Sequence, residues 1–133
     1  MQKSKSKTID WGKAEDIEES IKEILETLNF DHVDTKRLHC FRSHGSKARA
    51  YARTWTFPKI FQIALKIKPV YAIEVISKYF DKLDEDNKKK VLIHELLHIP
   101  KNFSGALLPH RSRGRSIGKQ TNELFKEYKK LTK

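Results

Sequence analysis

The residues best equipped for chemistry lie together in Val91-Leu92-Ile93-His94-Glu95-Leu96-Leu97-His98-Ile99. Helical side chains four apart project from the same side. His94 and His98 can therefore grip one tetrahedral zinc, with Glu95 about a third of a turn away. This is the HExxH spacing. Zinc lowers the pKa of a bound water to about 7, and a carboxylate beside that water can take its proton during attack on a peptide carbonyl, then hand it to the departing amine. A chain with this content of His and Glu would carry roughly 0.02 such motifs by chance. Two incidental imidazoles among Leu92, Ile93, Leu96 and Leu97 would each need a hydrogen-bonding partner, because unpaired buried polar groups are costly. The metal reading outweighs that of a core helix with two stray histidines.

A catalytic zinc takes a third protein ligand and keeps one position open for water. His110 is the first candidate, in a loop containing Gly and Pro that can fold back under the metal. Glu123 on the last helix is the second. His110 is preferred, because Glu123 flanks Leu124 on an amphipathic helix where an exposed glutamate is ordinary. His32, His39 and His44 read as surface or turn residues. The one cysteine, Cys40, cannot form an internal disulfide or supply a thiolate site. That excludes Cys-based zinc ribbons and fits a reducing, cytoplasmic setting.

These residues need elements to hold them. Ile17, Ile21, Ile24, Leu25 and Leu28 recur at helical spacing and predict a packing helix from Gly12 to Leu28, with Glu18, Glu19, Glu23 and Glu26 outward. Leu38, Cys40 and Arg42 alternate with His39 and Phe41 as in a short strand ending at His44-Gly45-Ser46. Ala48 to Phe57 reads as a second strand, with Ala52 and Thr54 on one face and Arg53 and Trp55 on the other, able to form a hairpin with the first. After Pro58, the spacing of Ile60, Phe61, Ala64 and Leu65 favours one side of a short helix over a strand. Val70 to Ile76 is β-branched and strand-like, followed by a helical turn or two over Ser77 to Leu83. Asp84 reads as the N-cap of the His94 helix, which runs to Ile99 and stops at Pro100. A loop with no clear periodicity follows. The chain closes with an amphipathic helix from Lys119 to Leu131 burying Leu124, Phe125, Tyr128 and Leu131.

At 133 residues, with 38% hydrophobic and 34% charged, the chain suits one domain over residues 12–133 behind a basic tail, 1–11. No apolar run long enough to span a bilayer and no signal peptide are evident, so no membrane partner is expected. The net charge of +11 is uneven. Residues 41–75 and 98–133 carry the positive field, which permits nonspecific nucleic-acid contact, including through Arg111, Arg113 and Arg115, although a lysine-rich solvated surface is the commoner reason for such charge.

Several blocks together resemble a known family: Ala50-Tyr51-Ala52-Arg53, Pro58-Lys59, Tyr71-Ala72-Ile73-Glu74-Val75-Ile76, Phe80-Asp81, His94-Glu95-Leu96-Leu97-His98-Ile99-Pro100, and Phe103 through Leu108-Pro109-His110. Residues 40–115 are similar to the small zinc metallopeptidases of phages and archaea and, more loosely, to SprT-like zincins, without a recognisable accessory DNA-binding module. The resemblance implies a minimal zincin with Zn2+ on His94, His98 and His110 and with Glu95 as catalytic carboxylate. It implies an α+β fold in which a small mixed sheet packs on the N-terminal helix, the HExxH helix and the C-terminal helix. In zincins a strand beside the metal commonly pairs with extended substrate, and Ala48–Phe57 or Val70–Ile76 could serve. Glu74 reads as a carboxylate on a solvated sheet edge, with orientation of a zinc-binding histidine or substrate contact as the alternative. The expected function is a zinc-dependent metallopeptidase acting on protein or peptide, with Glu95 as general base. The alternative is a zinc-stabilised nucleic-acid-binding or regulatory protein without hydrolytic activity.

Overall fold

The computed structural model describes residues 8–112 and 115–133. In chain order it contains β1 (Asp10–Lys13), α1 (Glu15–Leu28), a single 3-10 turn (Thr35–Arg37), β2 (Leu38–His44), β3 (Ala52–Thr56) and α2 (Lys59–Leu65). There follow β4 (Tyr71–Ile76), α3 (Ser77–Phe80), α4 (Glu85–Leu96), β5 (Arg111–Ser112), β6 (Arg115–Ser116) and α5 (Ile117–Leu131). This is the expected α+β class. None of the described helices is long and apolar enough to cross a membrane.

The main sheet has the order β1-β2-β4-β3, with β2 and β4 parallel and the other pairs antiparallel. The expected β2–β3 hairpin is therefore wrong. The β-branched and buried β4 is the strand with the most apolar surface to hide, and it inserts between the two. β1, unseen in the sequence because Asp10-Trp11-Gly12-Lys13 is exposed throughout and lacks alternation, adds the other edge. It straddles the expected boundary between residues 11 and 12. As a result α1 begins at Glu15, not Gly12. β3 is shorter than the Ala48–Phe57 expected.

Register puts Leu38, Cys40, Ala52, Tyr71, Ile73 and Val75 on one face. They pack against Ile17, Ile21, Ile24 and Leu25 of α1 and Leu92, Ile93 and Leu96 of α4 in one buried core. Each such aliphatic side chain contributes about 1.5–3 kcal/mol on leaving water. Arg42, on the same face near its margin, makes a bidentate contact to Asp16 of α1 at 3.1 and 3.0 Å and reaches Asp81 at 3.1 Å, tying α1 and the end of α3 to the sheet.

Four helix ends explain how the site is framed. α1 stops at Asn29, whose left-handed φ of 60° is one that Asn tolerates. Asp84 caps α4 as expected, accepting from the Asn87 amide at 2.8 Å. α4 itself ends at Leu96, two residues short of His98, and the chain continues in a tighter turn with His98 N bonded to Glu95 O at 3.1 Å. The loop expected to lack regularity closes as the β5–β6 hairpin, after which Ser116 caps α5 by accepting from Lys119 N at 3.2 Å. α5 thus starts at Ile117 instead of Lys119. It buries Tyr128 and half-buries Leu124 and Phe125, but Leu131, expected inside, is exposed because it lies at the last turn, past the edge of the core.

Candidate metal centre

His94, on the last full turn of α4, His98, in the turn beyond it, and His110, at the mouth of the hairpin, converge. One ring nitrogen from each lies within 4.8 Å of the others. Ring centroids are 5.2 Å apart for His94 and His98, 5.2 Å for His94 and His110, and 4.7 Å for His98 and His110. Such spacing suits three ligands around a single ion, and an all-imidazole set suits zinc. Glu123, the alternative third ligand, is exposed on α5 and lies outside this cluster.

The loop carrying His110 is fixed from both ends. Leu108 N donates to His98 O at 2.8 Å, and Ile117 N donates to His110 O at 2.9 Å. His98 Nδ1 lies 2.6 Å from Leu108 O. Because a carbonyl can only accept, Nδ1 carries the proton, which leaves Nε2 as the lone-pair nitrogen. Farther back, the Tyr71 hydroxyl accepts from Gly105 N at 2.8 Å and donates to Ala106 O at 2.7 Å, while Thr56 Oγ1 donates to Gly105 O at 2.6 Å. Gly105 adopts φ +96°, and a Cβ there would stand 2.5 Å from the Gln62 Nε2 that is already bonded to Phe57 O. Only glycine combines that backbone with that approach.

Electrostatics favours neutral imidazoles. Burial, then the charges of His98 and His110, push His94 down to about 4, and burial also lowers His98. Neutral rings have lone pairs ready for a cation. Glu95 is buried, and that burial raises its carboxyl to about 7, against the opposing pull of Thr54. Thr54 Oγ1 donates to Glu95 Oε1 at 2.8 Å and lies 3.1 Å from Glu95 O. Sequence reasoning placed Thr54 on a face of β3 without finding this role, because the contact exists only once β3 lies beside α4.

The histidines and Glu95 line a cleft of about 890 Å³ whose other wall includes Ala50 to Thr54, Leu107 and Leu108. β3 is a sheet edge there, so its outer backbone faces no other strand of the sheet. β4, the other strand considered for substrate pairing, is interior and unavailable.

Glu74 corrects an expectation. It sits in the central strand, 1% exposed, not on a solvated edge. Its Oε1 accepts from Arg53 Nε at 3.1 Å and Trp55 Nε1 at 2.8 Å on the face opposite the core. It approaches none of the three histidines closely enough to bond one. His39 and His44 are exposed on β2, as expected, and His32 is half-buried with its pKa lowered chiefly by that burial. Arg111 is exposed in β5. Met1 to Lys7 and Arg113 lie outside the described residues.

Comparison with known proteins agrees with the resemblance. The family model described as "Putative phage metallopeptidase" matches residues 9–131. No curated protein and no solved structure matches the chain.

Proposed function

Since the chain belongs to that phage metallopeptidase family, we propose that it is a zinc-dependent peptidase with His94, His98 and His110 as ligands and Glu95 as general base. The convergence of three imidazole nitrogens within 4.8 Å, next to a buried carboxylate in an open cleft, is the observation that carries this reading. Bound there, zinc would supply the positive charge that acidifies water and polarises a carbonyl. Thr54 anchors one oxygen of Glu95, so the other can take a proton from the attacking water and deliver it to the amine as the C–N bond breaks. The Leu108 carbonyl holds the His98 ring by its Nδ1 proton. An extended peptide laid along the free edge of β3 would place its carbonyls near Glu95, with main-chain hydrogen bonds supplying affinity.

A metal assay paired with hydrolysis tests the assignment. Purified protein should hold about one zinc per chain. Glu95→Gln should keep the metal and lose activity by on the order of 10²-fold or more. His110→Ala should lose metal and activity together. Zinc retained in His110→Ala but lost in Glu123→Ala would move the third ligand to Glu123. Zinc bound without hydrolysis, at wild type and Glu95→Gln alike, would favour a metal-stabilised binding protein instead.

A further inference from the structure

α2 is built inside out. Its one buried residue is polar, Gln62 at 7% exposure, while Ile60 at 71% and Ile63 at 68% stand in solvent with Phe61 and Leu65. Phe61 stacks on Phe57 at 5.7 Å, and Ile67 continues the apolar surface past the helix end. A contiguous set of large apolar side chains on two helical turns marks a contact surface, because such groups gain about 25 cal/mol per Å² when covered. The patch is also tied to the cleft. Gln62 lies against Gly105, Thr56 bonds the Gly105 carbonyl, and the exposed Leu107 and Leu108 that follow form the cleft wall.

Charge selects the occupant. Lys59, Lys66 and Lys68 flank the apolar residues and are exposed, and no Asp or Glu occurs between Asp34 and Glu74. A second copy of the chain would set these lysines against one another. A lipid surface would need no link to the cleft, whereas α2 packs through Gln62 on the Gly105 turn, which leads within two residues to Leu107 and Leu108 of the cleft wall. We propose that α2 and the Leu107–Leu108 rim dock an apolar segment, flanked by acidic residues, of the polypeptide held in the cleft. This rests on the peptidase reading and gives it a substrate class: apolar stretches bordered by Asp or Glu, of the kind unfolded chains expose.

Binding can be measured apart from cleavage. Full-length protein carrying Glu95→Gln leaves a bound peptide intact, so its affinity for a fluorescein-labelled peptide with a Leu/Phe centre and Glu flanks can be read by anisotropy. Adding Ile60→Ser and Ile63→Ser should weaken binding on the order of tenfold or more, with the thermal midpoint unchanged because both side chains are exposed. Lys flanks on the same peptide should weaken it too, and this difference should shrink as salt rises. The proposal is overturned if the serine variant binds as tightly as its parent, or if the parent binds no peptide at all. It is equally overturned if the serine changes only disperse a dimer in sedimentation, or only abolish pelleting with phosphatidylserine vesicles, while peptide affinity stays the same. Failure of wild-type zinc protein to cut a peptide that binds through α2 would count against the peptidase reading and leave the docking surface standing.

Discussion

Thr54→Val is the sharpest test of how Glu95, the proposed general base, is held. Valine keeps the branched shape on β3 but cannot donate, so Glu95 Oε1 loses the 2.8 Å hydrogen bond that fixes it. Hydrogen bonds to charged groups are worth about 1.5–3 kcal/mol, which converts to roughly a ten- to hundredfold fall in kcat/KM if the bond positions Glu95 in the transition state. Global stability should fall by only about 1 kcal/mol, because an ordinary neutral donor is lost at a half-buried site. Metal content should not change, since Thr54 hydrogen-bonds Glu95 and no histidine. Thr54→Ser restores the donor and should recover most of the rate. The assay is steady-state hydrolysis of an unfolded protein substrate with zinc quantified in every preparation, and the loss should appear mainly in kcat. Wild-type kcat/KM in Thr54→Val at equal zinc, or equal impairment in Thr54→Ser, would refute a positioning role.

Other consequences are checked more simply. Ile73, fully buried in β4, should cost about 2–5 kcal/mol as Ile73→Ala, read from the urea midpoint at unchanged slope; a shift below about 1 kcal/mol would contradict its place in the core. Gly105→Ala should destabilise the His110 loop by about 1–3 kcal/mol and weaken zinc affinity, because φ is +96° and Gln62 fills the space; unchanged zinc affinity would detach this turn from the metal site. Burial pushes the Cys40 thiol up to about 12, so the native protein at pH 8 should resist iodoacetamide until denatured, and rapid native labelling would be the contrary result. Burial raises the pKa of Glu74, but Ser43, Trp55 and Arg53 outweigh it and hold the carboxyl below its ordinary value. Its contribution is therefore present above the unfolded carboxylate pKa and lost as pH falls through the folded one. Glu74→Gln should flatten that acid limb of the stability profile, and an identical limb in both proteins would count against the assignment.

Local patterns were legible and long-range ones were not. α1 announces itself through Ile17, Ile21, Ile24 and Leu25, and α4 through Asp84, because periodicity and capping are properties of neighbouring residues. The β2–β3 hairpin failed because strand order depends on which apolar strand has most to bury, and β4 competes from farther along the chain. β1 carries no alternation because both of its faces meet solvent. α2 shows the limit of periodicity most clearly. Its spacing fixed a helix, yet the apolar side points outward, since packing Gln62 against the Gly105 turn and the Phe57 carbonyl decides its rotation.

The metal-binding candidates divide along the same line. His94, Glu95 and His98 were readable because four residues of helix are enough to set their mutual geometry. His110 could be preferred to Glu123 from the sequence but not placed, since its position depends on Leu108 closing back on His98 and on Tyr71 gripping Gly105 and Ala106. Thr54 and Glu74 were out of reach for a further reason. In a strand, adjacent residues point to opposite faces, so Thr54 meets the Glu95 carboxylate while Arg53 and Trp55 on either side of it pin Glu74 beneath the other face. A one-residue slip of β3 against β4 would break both arrangements at once, which makes the contact of Arg53 and Trp55 with the buried Glu74 a register lock for the strand that carries Thr54. On this argument Glu74→Gln, which keeps an acceptor, should spare zinc and most activity, whereas Glu74→Leu should lower kcat/KM although no atom of Glu74 reaches the cleft. Full activity in Glu74→Leu, with zinc and folding intact, would show that pairing alone sets the register.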